Sequence, residues 1–79
     1  MKEFLEYVAR GLVDKPDAVF VEVEEDGDET VLTLGVDQED MGRVIGRDGR
    51  IANAIRSLLR VMATRDGRHV ELEIVSDAD

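Results

Sequence analysis

The chain has 79 residues, no cysteine, no tryptophan and a net charge of −9 at pH 7. A chain this short makes one domain that buries roughly 60% of its unfolded surface, and without cysteine it has neither disulfides nor thiolate metal sites. No apolar run approaches the ~20 residues of a membrane helix, and an N-terminus carrying Glu3 and Glu6 is unlike a signal peptide, so a cytoplasmic protein is expected.

In chain order, residues 2–13 predict a helix with Phe4, Leu5, Val8 and Leu12 on one face, ended by Pro16 and its flanking aspartates. Residues 18–25 alternate, with Val19, Val21 and Val23 facing one way and Glu22 and Glu24 the other. Asp26-Gly27 signals a hairpin. Residues 29–36 return, with Leu32, Leu34 and Val36 opposite Val31 and Thr33. Asp37 is a candidate helix N-cap, with Asp40 completing an imperfect capping box before a short helix that runs to about Ile45. A longer helix is expected over residues 50–65, with a core stripe of Ile51, Ile55, Leu58, Leu59 and Met62. Its polar stripe is Arg50, Asn53, Ser57, Arg60 and Thr64, and Asp66-Gly67 stops it. Residues 69–75 read as a last strand with Val70, Leu72 and Ile74 inward, and residues 76–79 as a frayed tail.

The order α-β-β-α-α-β predicts an α+β fold filling the whole chain, residues 1–79. The helical crossover between the second and third strands calls for a parallel pair there. The expected result is a mixed three-stranded sheet with helices packed on one face. The other face carries Glu22, Glu24, Glu71 and Glu73.

Charge is segregated along the chain. Residues 41–68 hold seven arginines and two aspartates, a net +5, while the remainder holds three bases and seventeen acids, a net −14. A basic centre in an acidic shell is a local footprint for nucleic acid that total charge conceals. Inside that stretch lies Val44-Ile45-Gly46-Arg47-Asp48-Gly49-Arg50. A Gly-x-x-Gly turn between helices lets another backbone pass close, because no Cβ stands in the way. It also aims the N–H groups of the following helix outward, where they attract anions. Arg43, Arg47 and Arg50 are the candidate phosphate ligands. Asn53 lies one turn further on, within reach of a phosphate or sugar, and Ile45 is a candidate for the floor of a groove that holds unstacked bases. Ala54 and Val61, seven residues apart beside the core stripe, form a candidate apolar seam for another helix.

The element order, the GxxG between two helices and the closing strand resemble a KH domain of type II topology over nearly the whole chain. The string Met41-Gly42-Arg43-Val44-Ile45-Gly46-Arg47-Asp48-Gly49-Arg50, with Ala54-Ile55-Arg56 beyond it, is similar to the KhpA family of small bacterial single-KH proteins. KH domains clamp about four nucleotides with the GxxG loop. The resemblance implies a non-enzymatic, cytoplasmic RNA-binding protein or RNA chaperone. It implies single-stranded RNA as the ligand of Arg43, Ile45, Gly46, Arg47, Asp48, Gly49, Arg50 and Asn53. It further implies a homodimer, or a heterodimer with a Jag-type KH protein, in a system of cell shape and cell wall biogenesis. One departure is Asp48, a carboxylate in a loop that the family keeps net basic. It motivates the alternative of a KH-fold protein-interaction module with weak or lost RNA binding.

No catalytic constellation emerges. His69 is the single histidine, with no Ser-His-Asp set to join, and no Gly-Lys-Ser/Thr follows the glycines as a nucleotide P-loop requires. The acidic stretch from Glu24 to Glu29 lacks calcium-loop spacing. No metal, cofactor or small-molecule substrate is expected.

Overall fold

The computed structural model describes residues 1–76. Its elements are α1 (Lys2–Leu12), β1 (Phe20–Asp26), β2 (Glu29–Val36), α2 (Met41–Ile45), α3 (Arg50–Arg65) and β3 (His69–Ser76), with short 3₁₀ turns at Pro16–Ala18, Gln38–Asp40 and Arg47–Gly49. The sheet order is β1-β2-β3, with β1 antiparallel and β3 parallel to the central β2. This is the mixed α+β architecture that the sequence predicts. Ser76, read as the start of a tail, instead pairs with Val36 at the end of β3, and residues 77–79 lie outside the described residues.

The hairpin pairs Asp26 with Glu29, so its two-residue loop is Gly27-Asp28, one position beyond the Asp26-Gly27 signal. Gly27 takes a φ of +61° at the first loop position, where a type II′ turn needs positive φ. On the helix side of the sheet, Val21, Leu32, Leu34 and Val36 are buried with Leu5 and Ala9 of α1, Val44 of α2, Ile55 and Leu59 of α3, and Leu72 of β3. A fully buried leucine or valine contributes about 1.5–3 kcal/mol relative to exposure. Val23 shares this face but remains 43% exposed.

Two sequence expectations fail here. Leu58 was placed in the core stripe of α3 but is 52% exposed, because the arc facing the sheet is Ala52, Ile55, Leu59 and Ala63. Alanines at both ends let the helix lie close to the strands. Asp40 forms no side-chain cap on α2. It is buried, at 2% exposure, and its two carboxylate oxygens accept the backbone N–H groups of Asp14 and Lys15 at 3.1 Å each. The residue thereby ties the chain after α1 to the start of α2. Asp37 does cap, accepting from the Glu39 N–H at 2.9 Å. Lys15 sits against the same turn, and its ammonium pKa is raised by the hydrogen bond to Glu39 and the charges of Asp37 and Glu39.

The C-terminus of α3 closes as the sequence predicts. The Arg68 N–H bonds the Ala63 carbonyl and the Gly67 N–H bonds that of Thr64, with Gly67 at φ +68°, the full Schellman pattern. Arg68 then donates from Nε to the buried Thr30 hydroxyl and lies 3.7 Å from Glu25, sealing that end of the core.

The outer face of the sheet is built from cross-strand rows. Glu22, Thr33 and Glu73 align, as do Glu24, Val31 and Glu71. All four glutamates are exposed. The acidic surface therefore lies behind the sheet, on the side away from α2 and α3.

Candidate nucleic-acid interface

The sharp turn between α2 and α3 depends on its two glycines for different reasons. Gly46 ends α2 at φ +77°, ψ 173°, and a Cβ there would meet the Ile51 backbone nitrogen at 2.9 Å and its Cγ1 at 2.7 Å. Only glycine combines that conformation with that approach. Gly49 adopts the left-handed conformation, φ +76°, with open space at its Cβ position, so backbone geometry alone requires it. Asp48, between them, is the one non-glycine residue with positive φ, at +57° among the described residues. Aspartate tolerates this region better than most side chains.

Gly49 precedes the first turn of the 16-residue α3, and no side chain caps that end. Its positive dipole end therefore has no side-chain cap beside the loop. Arg47, Asp48 and Arg50 are exposed around it, and neither arginine forms an ion pair among the described residues. Arg43 is placed differently. It contacts Asp14 at 3.0 Å and Asp40 at 3.8 Å, so its charge is partly spent within the chain. Ile45 is half-buried and packs against the core.

A cleft of about 290 Å³ lies between α3 and β3, lined by Arg56, Leu59, Arg60, Val70, Glu71 and Leu72. Asn53 is exposed one turn above it and accepts a 3.2 Å hydrogen bond from Arg56 Nη1. Arg56 Nη2 donates in turn to the Leu72 carbonyl, at a long 3.4 Å. Arg60, part of the polar stripe, is thus also a wall of the cleft. The sequence reading missed Arg56 and the β3 residues as site components. The available signal was the three-residue step from Asn53 to Arg56, which keeps both on one helix face.

Ala54 and Val61 lie on another side of α3 and both are exposed. With Leu58 they make a surface stripe at i, i+4 and i+7. No helix among the described residues is long and apolar enough to cross a membrane.

Comparison with known proteins agrees with this geometry. Residues 2–74 match the family model described as KhpA/KhpB, KH domain. RNA-binding protein KhpA of Borreliella burgdorferi is 48% identical over 73 residues, covering 92% of this chain and 89% of its own. The protein of the same name from Clostridium perfringens is 44% identical over 75 residues, covering 95% and 100%, respectively. That of Chlamydia trachomatis is 42% identical over 77 residues, covering 98% and 99%. Among solved structures, Aquifex aeolicus Era bound to GDP.AlF4- superposes with a TM-score of 0.61 at 24% identity. Era in complex with MgGDPNP and a segment of 16S ribosomal RNA does so at 0.54 and 23%. In both cases the match covers 95% of this chain and 29% of Era, a likeness of fold alone.

Proposed function

The chain belongs to the KhpA/KhpB family of KH domains, and on that premise we propose that it is a non-enzymatic, cytoplasmic protein that binds short single-stranded RNA. The observation that carries this reading is the glycine turn. It sets an uncapped helix N-terminus beside two exposed arginines, Arg47 and Arg50, that form no ion pair among the described residues, and the same helix walls a cleft against β3. In this reading the RNA backbone passes over Gly46 and Gly49, and bases enter between α3 and β3. Asn53 reaches a sugar or phosphate, and Ile45 lines the edge of the groove. Arg43 contributes long-range attraction more than direct contact, because Asp14 holds it.

NMR shift mapping with a short single-stranded RNA tests this reading. The largest shifts are expected at residues 43–53 and along the cleft lining, while Glu22, Glu24 and Glu73 barely move. Changing those three glutamates to glutamine is expected to leave the mapped footprint unchanged. Affinity is expected to fall with salt at a slope of roughly −0.7 per phosphate neutralised. Shifts centred on Glu22, Glu24 and Glu73, or a salt-insensitive complex, overturn the reading.

A second reading rests on the exposed stripe Ala54, Leu58 and Val61, with Val61 at 60% exposure. It is a protein-interaction surface, for a second copy of the chain or for a Jag-type KH protein, consistent with a role as an RNA chaperone in cell shape and cell wall biogenesis. Asp48 in the loop favours some division of labour of this kind. Val61→Asp is expected to abolish association in sedimentation equilibrium. It should change stability by no more than about 0.5 kcal/mol, as is usual for an exposed site. Association that survives the change places the interface elsewhere.

A further inference from the structure

We propose that Arg56 sets the base specificity of the cleft, making it a reader of guanine rather than adenine. This rests on the RNA-binding reading above and concerns what happens to a base once it is in the groove. β3 is an edge strand, paired only with β2. The His69 N–H bonds the Asp28 carbonyl on the β2 side. In a parallel ladder, successive residues turn their N–H and C=O to opposite edges, so Val70, Leu72 and Ile74 present theirs to the open edge. Left alone, Leu72 would offer an incoming base one donor and one acceptor. Adenine and cytosine match that pair, each having an amino donor beside a ring-nitrogen acceptor.

Arg56 changes the pattern. Its Nη2 occupies the Leu72 carbonyl, and its Nη1 is held by Asn53 Oδ1. A guanidinium has five N–H donors and no acceptor. Two anchoring contacts leave further donors on a side chain that lines the cleft together with Leu72. At Leu72 the lip of the cleft then presents the Leu72 N–H beside arginine donors, while Glu71 supplies a carboxylate elsewhere in the same lining. A base edge with two adjacent acceptors fits these donors, and guanine O6 and N7 are such an edge, the usual partner of arginine. Adenine places its amino group where O6 would be and meets a donor. The cleft volume of about 290 Å³ falls at the small end of ligand pockets, suited to a single base.

The test uses the full chain and a labelled oligouridine carrying one internal guanine, adenine or cytosine, with binding followed by fluorescence anisotropy. The wild type is expected to prefer the guanine oligonucleotide over the adenine one by roughly tenfold, the value of one good bidentate contact. Arg56→Met keeps the apolar stem and removes the donors. It is expected to erase the guanine preference and bring the adenine oligonucleotide to parity or above. Arg56→Lys keeps the charge without the planar fork and is expected to lose the discrimination while retaining the salt dependence. Binding that is abolished by charge reversal in the Gly46–Gly49 loop but shows the same base order with and without Arg56 overturns this inference and leaves the RNA reading standing. Failure of the wild type to bind any of the oligonucleotides overturns both.

Discussion

Arg47→Asp, which leaves two aspartates side by side in the loop, is expected to abolish binding of single-stranded RNA while leaving the fold intact. Both positions are exposed, and neither forms an ion pair among the described residues, so the native chain loses no internal contact. The backbone is also tolerant. Aspartate already occupies the left-handed position at 48, and position 47 has ordinary φ. The change removes the positive charge beside the N-terminus of α3 and leaves two carboxylates where a phosphate would pass. One charge-assisted hydrogen bond is worth about 1.5–3 kcal/mol, so its loss alone weakens binding roughly ten- to hundredfold, and repulsion adds to that. Circular dichroism and thermal melting should match the wild type. Asp48→Gly should act in the opposite direction. It removes the repelling charge and puts at φ +57° the residue that adopts this conformation most readily. Unchanged affinity in the double-aspartate loop would sink the phosphate role of this turn.

Much of this architecture is legible in the sequence because it rests on local chemistry. The alternation of residues 29–36, the span of α3 and the Gly67 stop each follow from side-chain period or turn preference, and each matches the observed element. The failures share a cause, in that they depend on partners distant in the chain. Leu58 satisfies the helical period as well as Leu59, and only the position of the sheet decides which is covered. The buried arc contains Ala52 and Ala63, which hydrophobic weighting ranks low but close packing favours. The turn formed by the loop glycines, with Arg47 exposed on it, is legible from spacing. The cleft is not, since one wall is the edge of β3. Arg56 reaches it over 16 positions of sequence to Leu72. Arg43 is equivalent to Arg47 by spacing, but Asp14, on the far side of the sheet hairpin in sequence, holds it.

Asp40 is the residue whose meaning changes most between sequence and structure, and its removal is expected to destabilise the fold strongly. A carboxylate at 2% exposure accepts two backbone N–H groups, from Asp14 and Lys15, across 26 and 25 positions. Arg43 approaches the same carboxylate at 3.8 Å. Asp40→Ala leaves both N–H groups without that acceptor in a partly buried site, and orphaned donors cost about 1–3 kcal/mol each. A loss of roughly 3 kcal/mol is expected after partial rehydration of the loop. A domain of this size has a total stability of only about 4–12 kcal/mol, and each kcal/mol moves the melting temperature by about 4–8 °C. The melting temperature should therefore fall by roughly 10–25 °C. Asp40→Asn retains one acceptor oxygen and should lose about half as much. The turn joins α2 to α3 and the cleft lies between α3 and β3, so Asp40→Asn below its melting point should still bind RNA, with the loss confined to stability. A melting temperature within a few degrees of wild type in Asp40→Ala would mean that water replaces the carboxylate at little cost and that the tie between α1 and α2 is dispensable.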